Sequence, residues 1–177
     1  MTEPHWTGSS APYLHSGRGD VWGKEAAAQG RTGTQRILKA EESAAPQEIA
    51  YHLRLPDGAR VVTRQRLIVL DGRPIELANS YWPVSLAAGT ALAGTDRIRG
   101  GAVSLLASLG YEPASVEEYV TTRPPTRDEA ESLQLADNRE WILCLTRVIA
   151  TARLPYEVSV MVTPGRIAHL NYSMKVG

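Results

Sequence analysis

The segment from Ala59 to Trp82 constrains the fold more than any other. Two runs of strand composition, Ala59–Leu70 and Arg73–Trp82, flank Asp71-Gly72, a dipeptide suited to a tight hairpin turn. Inside the first run, Arg64 and Arg66 are two residues apart, so both point to one face of their strand. Glu76 follows just after the turn. Two like charges side by side in a strand need water, an acid or an anionic ligand to meet them. The register decides which. A two-residue loop sets residue 66 opposite 77 and sends Glu76 to the other face. A three-residue loop, Leu70-Asp71-Gly72 with a G1 bulge, sets 66 opposite 76 and Arg64 opposite Ala78, with Ser80 on the same face.

Around this hairpin the chain reads as short strands and short helices. Gln35–Ser43 is a strand, and Pro46–Leu53 a short helix with proline in its first turn. Pro83 ends the hairpin, and a short helix or turn follows over Ser85–Leu92. Ala102–Leu109 is a compact helix that stops at Gly110. Ala114–Arg123 is a strand, and Thr126-Arg127-Asp128-Glu129 has capping-box spacing at the start of a helix running to about Leu135. Strands Trp141–Ala152, Pro155–Val162 and Ala168–Lys175 complete the chain. Hairpin links predominate, so the fold class is α+β, with an antiparallel sheet of about six strands flanked by short helices. Residues 1–30, rich in Gly, Ser, Pro and Ala with scattered Trp6, Tyr13 and Trp22, read as an N-terminal arm that packs on something. Residues 31–177 read as one folded domain.

Charge narrows the partners. Lys plus Arg and Asp plus Glu both number 19, which argues against nucleic acid or an anionic membrane as the main partner. The lone Cys144 excludes a disulfide scaffold within one chain and suits a reducing cytoplasm. No secretory signal or membrane-spanning window is seen. His5, His15, His52 and His169 lack metal-ligand spacing, and no nucleophile elbow, Walker loop or dinucleotide fingerprint occurs. Neither a metal nor another cofactor is expected.

Candidate site residues follow. Arg64, Arg66, Glu76 and Ser80 form either an anion-binding surface or a solvated face with a cross-strand ion pair. Gly100-Gly101, ahead of a helix, offers backbone N–H groups to an anion, or is only a loop. Glu157 is either a pocket carboxylate or a polar residue on a solvent face.

The chain from about Gly33 to Lys175 resembles the UTRA domain, the effector-binding half of GntR/HutC-type bacterial transcription regulators. The resemblance is carried by VVTRQRLIVLDGRPIELANSYWP (Val61–Pro83), LAAGTALAG (Leu86–Gly94), IRGGAVSLLASLGYEP (Ile98–Pro113), TTRPPTRDEAESLQL (Thr121–Leu135) and LPYEVSVMVTPGR (Leu154–Arg166), in that order. It implies a chorismate-lyase-like fold, a pocket between sheet and helices for a small anionic metabolite, a homodimer in the cytoplasm, and no catalysis. In phosphosugar-sensing members the strand arginines bind phosphate; they match Arg64 and Arg66, and the acidic positions match Glu76 and Glu157. The resemblance favours the three-residue loop. It departs at Gly100-Gly101-Ala102, where phosphosugar-type members often carry serine, and near Thr163, where some carry an aromatic. The usual winged helix-turn-helix is not found in residues 1–30, so DNA contact is expected only through a domain outside this sequence. The alternatives are a chorismate-lyase-like enzyme acting on an aromatic carboxylate, and a regulator that pairs with a protein partner through its dimer face.

Overall fold

A computed structural model describes residues 6–8 (backbone only), 21–135 and 140–171. In chain order the elements are β1 (Trp6–Gly8), α1 (Val21–Ala28), β2 (Gly33–Ala44), α2 (Gln47–Leu53), β3 (Arg60–Leu70), β4 (Arg73–Pro83), α3 (Val84–Ala87), a 3-10 turn at Ala91–Ala93, α4 (Gly101–Ser108), β5 (Ser115–Arg123), α5 (Arg127–Ser132), β6 (Ile142–Ala150), β7 (Pro155–Pro164) and β8 (Ala168–Leu170). Six strands form one sheet in the order β2-β3-β4-β7-β6-β5, and every pairing within it is antiparallel. The expected α+β class and strand number are observed. β1 and β8 form a separate parallel pair, which the sequence reading did not anticipate. The expected continuation of the last strand to Lys175, and much of the arm over 1–30, lie outside the described residues.

Local chemistry sets the element ends. Thr126 and Glu129 make the full reciprocal capping box at α5. Pro46 stands immediately before α2, and Pro83 immediately before α3. The Pro cannot donate to a ladder, but its fixed φ suits a helix entry.

The β3–β4 register corrects both expectations for the hairpin. The loop has two residues: Leu70 pairs with Arg73, and Asp71 and Gly72 have φ of 49° and 79°. This is a type I′ turn, which needs positive φ at both central positions and so favours Gly at the second. A bulge then intervenes. Val69 pairs with Pro74, but Ile68 pairs with Glu76, leaving Ile75 as the extra residue. Pro74 has no N–H to give the ladder, and Ile75 is buried among Trp22, Ala26, Leu70 and Ile167. The added residue moves the register on by one. Arg66 therefore faces Ala78, and Arg64 faces Ser80. Arg64, Arg66, Glu76 and Ser80 share one face, although the loop has two residues.

The sheet is covered on both sides. On one face, α2 packs Ile49 and Leu53 on Val61, Val148 and Val158, and Leu133 after α5 packs on Leu67, Leu77, Ile142 and Val162. On the other, the arginine face, Leu86, Leu92 and Leu106 pack on Val62, Trp82 and Ile149. α1 lies over the start of β2, where a Cβ on Gly33 would come within 2.8 Å of Trp22 and 2.7 Å of Ala26. The arginine face is thus roofed at one end by α3 and α4 and at another by α1.

Candidate functional site

Registers across β5-β6-β7-β4-β3 put Glu118, Arg147, Ser159, Ser80 and Arg64 in one transverse row. Adjacent rows on the same face bring Leu145, Met161, Ala78 and Arg66 together, and then Leu143, Thr163, Glu76 and Ile68. Small residues at the centre of the face, Ser80, Ala78 and Ser159, leave room for the long side chains around them. Arg64, Arg147, Glu157, Ser80 and Ser159 are all buried.

A cavity of about 760 Å³ opens over this face, between β2, β3, Trp82 and the segment leading into α4. β2 contributes Gly33, Thr34, Gln35 and Ile37 to its lining, and β3 contributes Arg64 and Arg66. The opposite wall runs from Thr95 through Arg97, Ile98 and Arg99 to Gly100, Gly101 and Ala102. Of the residues singled out from sequence, Arg64, Arg66, Gly100 and Gly101 line this cavity; Glu76, Ser80 and Glu157 do not.

Two of these, Ser80 and Glu157, stand behind it. Arg66 Nη2 donates to Ser80 Oγ (3.1 Å), Ser80 and Ser159 share a hydrogen bond (2.9 Å), and Ser159 Oγ donates to Glu157 Oε1 (2.9 Å). Because the Ser159 proton goes to Glu157, Ser80 must donate to Ser159. Trp82 Nε1 donates to the other oxygen, Glu157 Oε2 (2.9 Å). The chain Arg66–Ser80–Ser159–Glu157–Trp82 thus begins and ends on residues that line the cavity. Glu157 fixes the indole and, through two hydroxyls, Arg66.

Arg64 is engaged differently. Its Nη1 donates to the Ala91 carbonyl (3.2 Å) and its Nη2 to the Asp96 carbonyl. These bonds tie β3 to the segment that forms the far wall. Burial first, then repulsion from Arg66, pulls the Arg64 guanidinium below its ordinary pKa, while Asp96 opposes the shift. Glu76 accepts a long hydrogen bond from Thr163 Oγ1 (3.5 Å). Burial raises its pKa, opposed by Arg66, Arg147 and the Thr163 bond in that order. Gly100 and Gly101 both have positive φ, 80° and 83°, but the Gly101 N–H is taken by the Ile98 carbonyl (3.0 Å).

Sequence reasoning missed Arg147, Ser159, Arg97 and Arg99. Arg147 had a visible signal: an arginine inside the apolar run Ile142–Ala150, on a strand that must pair with the one carrying Glu157. Among the described residues, no group of three or more His, Cys, Asp or Glu is placed to hold a metal ion.

An antiparallel six-stranded sheet, with helices on both faces and an arginine-lined cavity on one of them, defines an α+β ligand-pocket domain. The UTRA domain model matches residues 28–167, and the chain belongs to the UTRA domain family. The effector domain of PhnF from Mycobacterium smegmatis is similar in fold, with a TM-score of 0.73 and 21% identity over 88% of this chain and 94% of that one. The C-terminal domain of the histidine utilization repressor from Pseudomonas syringae pv. tomato is also similar, with a TM-score of 0.69 and 20% identity over 81% of this chain and 99% of that one. An uncharacterized HTH-type transcriptional regulator from Streptomyces coelicolor is 34% identical over 121 residues, 67% of this chain and 44% of the relative. The chain therefore spans less than half the length of that curated relative.

Proposed function

We propose that this chain is the effector-sensing part of a GntR-family transcription regulator of the HutC type and binds a small anionic metabolite in the arginine-lined cavity. The observation that carries the reading is the placement of Arg64 and Arg66 on the floor of a cavity of about 760 Å³, walled by Trp82 and the Thr95–Ala102 segment. Guanidinium groups suit carboxylate and phosphate, since each presents a planar fork of donors. Arg66 is the primary anchor, oriented from behind by Ser80, while Arg64 holds the far wall in place. Ligand entry competes for these donors and shifts the 91–101 segment relative to the sheet, a population shift between two arrangements. The protein works as a cytoplasmic homodimer, and its DNA contacts are made by a winged-helix domain outside this sequence. Among the described residues, no helix is long and apolar enough to cross a membrane. Catalysis is not part of this reading.

A thermal-shift screen with anionic metabolites tests it. A ligand at a hundredfold excess over its Kd stabilises the folded chain by about 2.7 kcal/mol, well within range of the method. Arg66→Ala should abolish the shift while leaving the unliganded transition cooperative. Stabilisation that survives this substitution would place the ligand elsewhere, and pyruvate release from chorismate would replace sensing with catalysis.

A further inference from the structure

Arg147 stands on the arginine face, outside both the cavity lining and the hydrogen-bonded chain behind it. It is 8% exposed, and its buried Nε has no hydrogen-bond partner. Arg64 and Arg66 also leave Nε unbonded, but both donate from Nη; among the described residues Arg147 makes no such bond. Its neighbours meet the charge only in part. Ser159, opposite on β7, is already bonded to Ser80 and Glu157. Glu118 stands opposite on β5, yet the Nε finds no acceptor there. Glu76 attracts Arg147, but burial drives that carboxyl toward its neutral form. Leu145 and Ile149, the flanking positions of β6 on this face, are buried and apolar. A guanidinium in such surroundings, with donors left unmet, destabilises the fold until an anion reaches it. Arg147 and Arg64 lie three strands apart in one transverse row, about 14 Å between backbones at the usual strand spacing. Between them stand only the small side chains of Ser159 and Ser80.

We propose that Arg147 is a second ligand anchor on this face and takes a carboxylate side-on, through its Nε–H and one Nη–H. That edge of a guanidinium presents two parallel donors that match the two oxygens of a carboxylate. A carboxylate brings one negative charge to one positive charge; a phosphate dianion would leave a charge unmatched in apolar surroundings. The proposal rests on the reading of this face as the effector site, and gives the effector a carboxylate at its end remote from Arg64.

Acetate, exchanged for chloride at constant ionic strength, is the probe, and the melting temperature is the readout. The parent should melt about 3 °C or more higher in acetate. R147M puts an apolar side chain in place of the guanidinium. It should melt at or above the parent in chloride, because an unmet buried charge is gone, and should gain nothing from acetate. R147K keeps the charge but not the fork, and should retain less than half of the gain. The gain should persist in R66A. No gain in the parent, or a full gain in R147M, would overturn the proposal. An R147M chain that melts below the parent in chloride would do the same, since Arg147 would then be satisfied within the fold. A gain lost in R66A but kept in R147M would also overturn it, and would leave the cavity at Arg66 standing as the effector site.

Discussion

Glu76 and Glu157 were equivalent from sequence, two acids in two strands, yet their surroundings give them different roles. Burial favours the protonated form of Glu76, and the attraction of Arg66 and Arg147 only partly offsets it. A carboxyl whose folded pKa lies above its unfolded value binds its proton more tightly in the folded state. Its contribution to stability is complete below the ordinary value of 4.5 and is lost as pH rises through the folded pKa. Urea unfolding of Glu76→Gln between pH 4.5 and 8 should give a flatter stability profile than the parent, with the gain of the variant growing as pH rises. A parent profile that climbs over this window relative to the variant would reverse the assignment. Glu157 instead accepts from Trp82 and from Ser159, all of them buried. Glu157→Ala orphans an indole N–H and a hydroxyl, which should cost about 2–4 kcal/mol by denaturant unfolding. Glu157→Gln, which keeps one acceptor, should cost less than half of that. The type and strand of these acids were legible; what lay behind them was not, because Trp82 is 75 residues from Glu157 and only sheet register brings the two together, and the same register carries the Ser159 hydroxyl, two residues along the strand, on to Ser80.

At the scale of elements, the hairpin shows where sequence reasoning succeeds and where it stops. Strand limits and the turn dipeptide followed from residue type. The register did not, because it depends on a bulge at Ile75 that is settled by tertiary burial against α1. The turn itself is held from outside: Asp71 accepts from Arg31 Nε (2.8 Å) and from the Thr32 N–H (2.8 Å). The Thr32 bond first, then Arg31, holds the Asp71 carboxyl below its ordinary pKa. Arg64 plays the corresponding part at the cavity, since its guanidinium spans the carbonyls of Ala91 and Asp96. Arg64→Ala removes both donors from the wall segment without touching the helices that follow it. Hydrogen exchange over 91–99 should then quicken by about an order of magnitude, as expected for the loss of a bond worth ~1.5 kcal/mol, while exchange in β6 and β7 stays unchanged. Equal acceleration in those central strands would mean that Arg64 supports the whole sheet and not the wall alone.

At the scale of the whole molecule, the two sheet edges differ, and the difference bears on the proposed homodimer. β2 is an edge with a bulge between Ile37 and Lys39 and a row of charged residues, Arg36, Lys39, Glu41 and Glu42. Bulges and charge are the usual means of keeping an edge from pairing with another chain. Among the described residues β5, at the other end, pairs only with β6 and keeps a continuous register over nine residues, without a bulge or proline. Tyr119 and Val120 are 45% and 44% exposed on its two sides, an uncommon state for large apolar side chains in a strand interior. That β5 is a strand was readable in sequence, but not its position at the edge, because strand order follows from long-range pairing. A dimer formed by this chain should therefore use β5. Val120→Lys and Tyr119→Lys together place two like charges on each copy across a two-fold axis and should convert the dimer to monomer in light scattering at micromolar concentration. The thermal transition should change little, since both side chains are exposed in one copy of the chain. A dimer that survives both charges would assign the contact to another surface, and a monomeric parent would remove the homodimer from the proposed function while leaving the cavity and its arginines as they are.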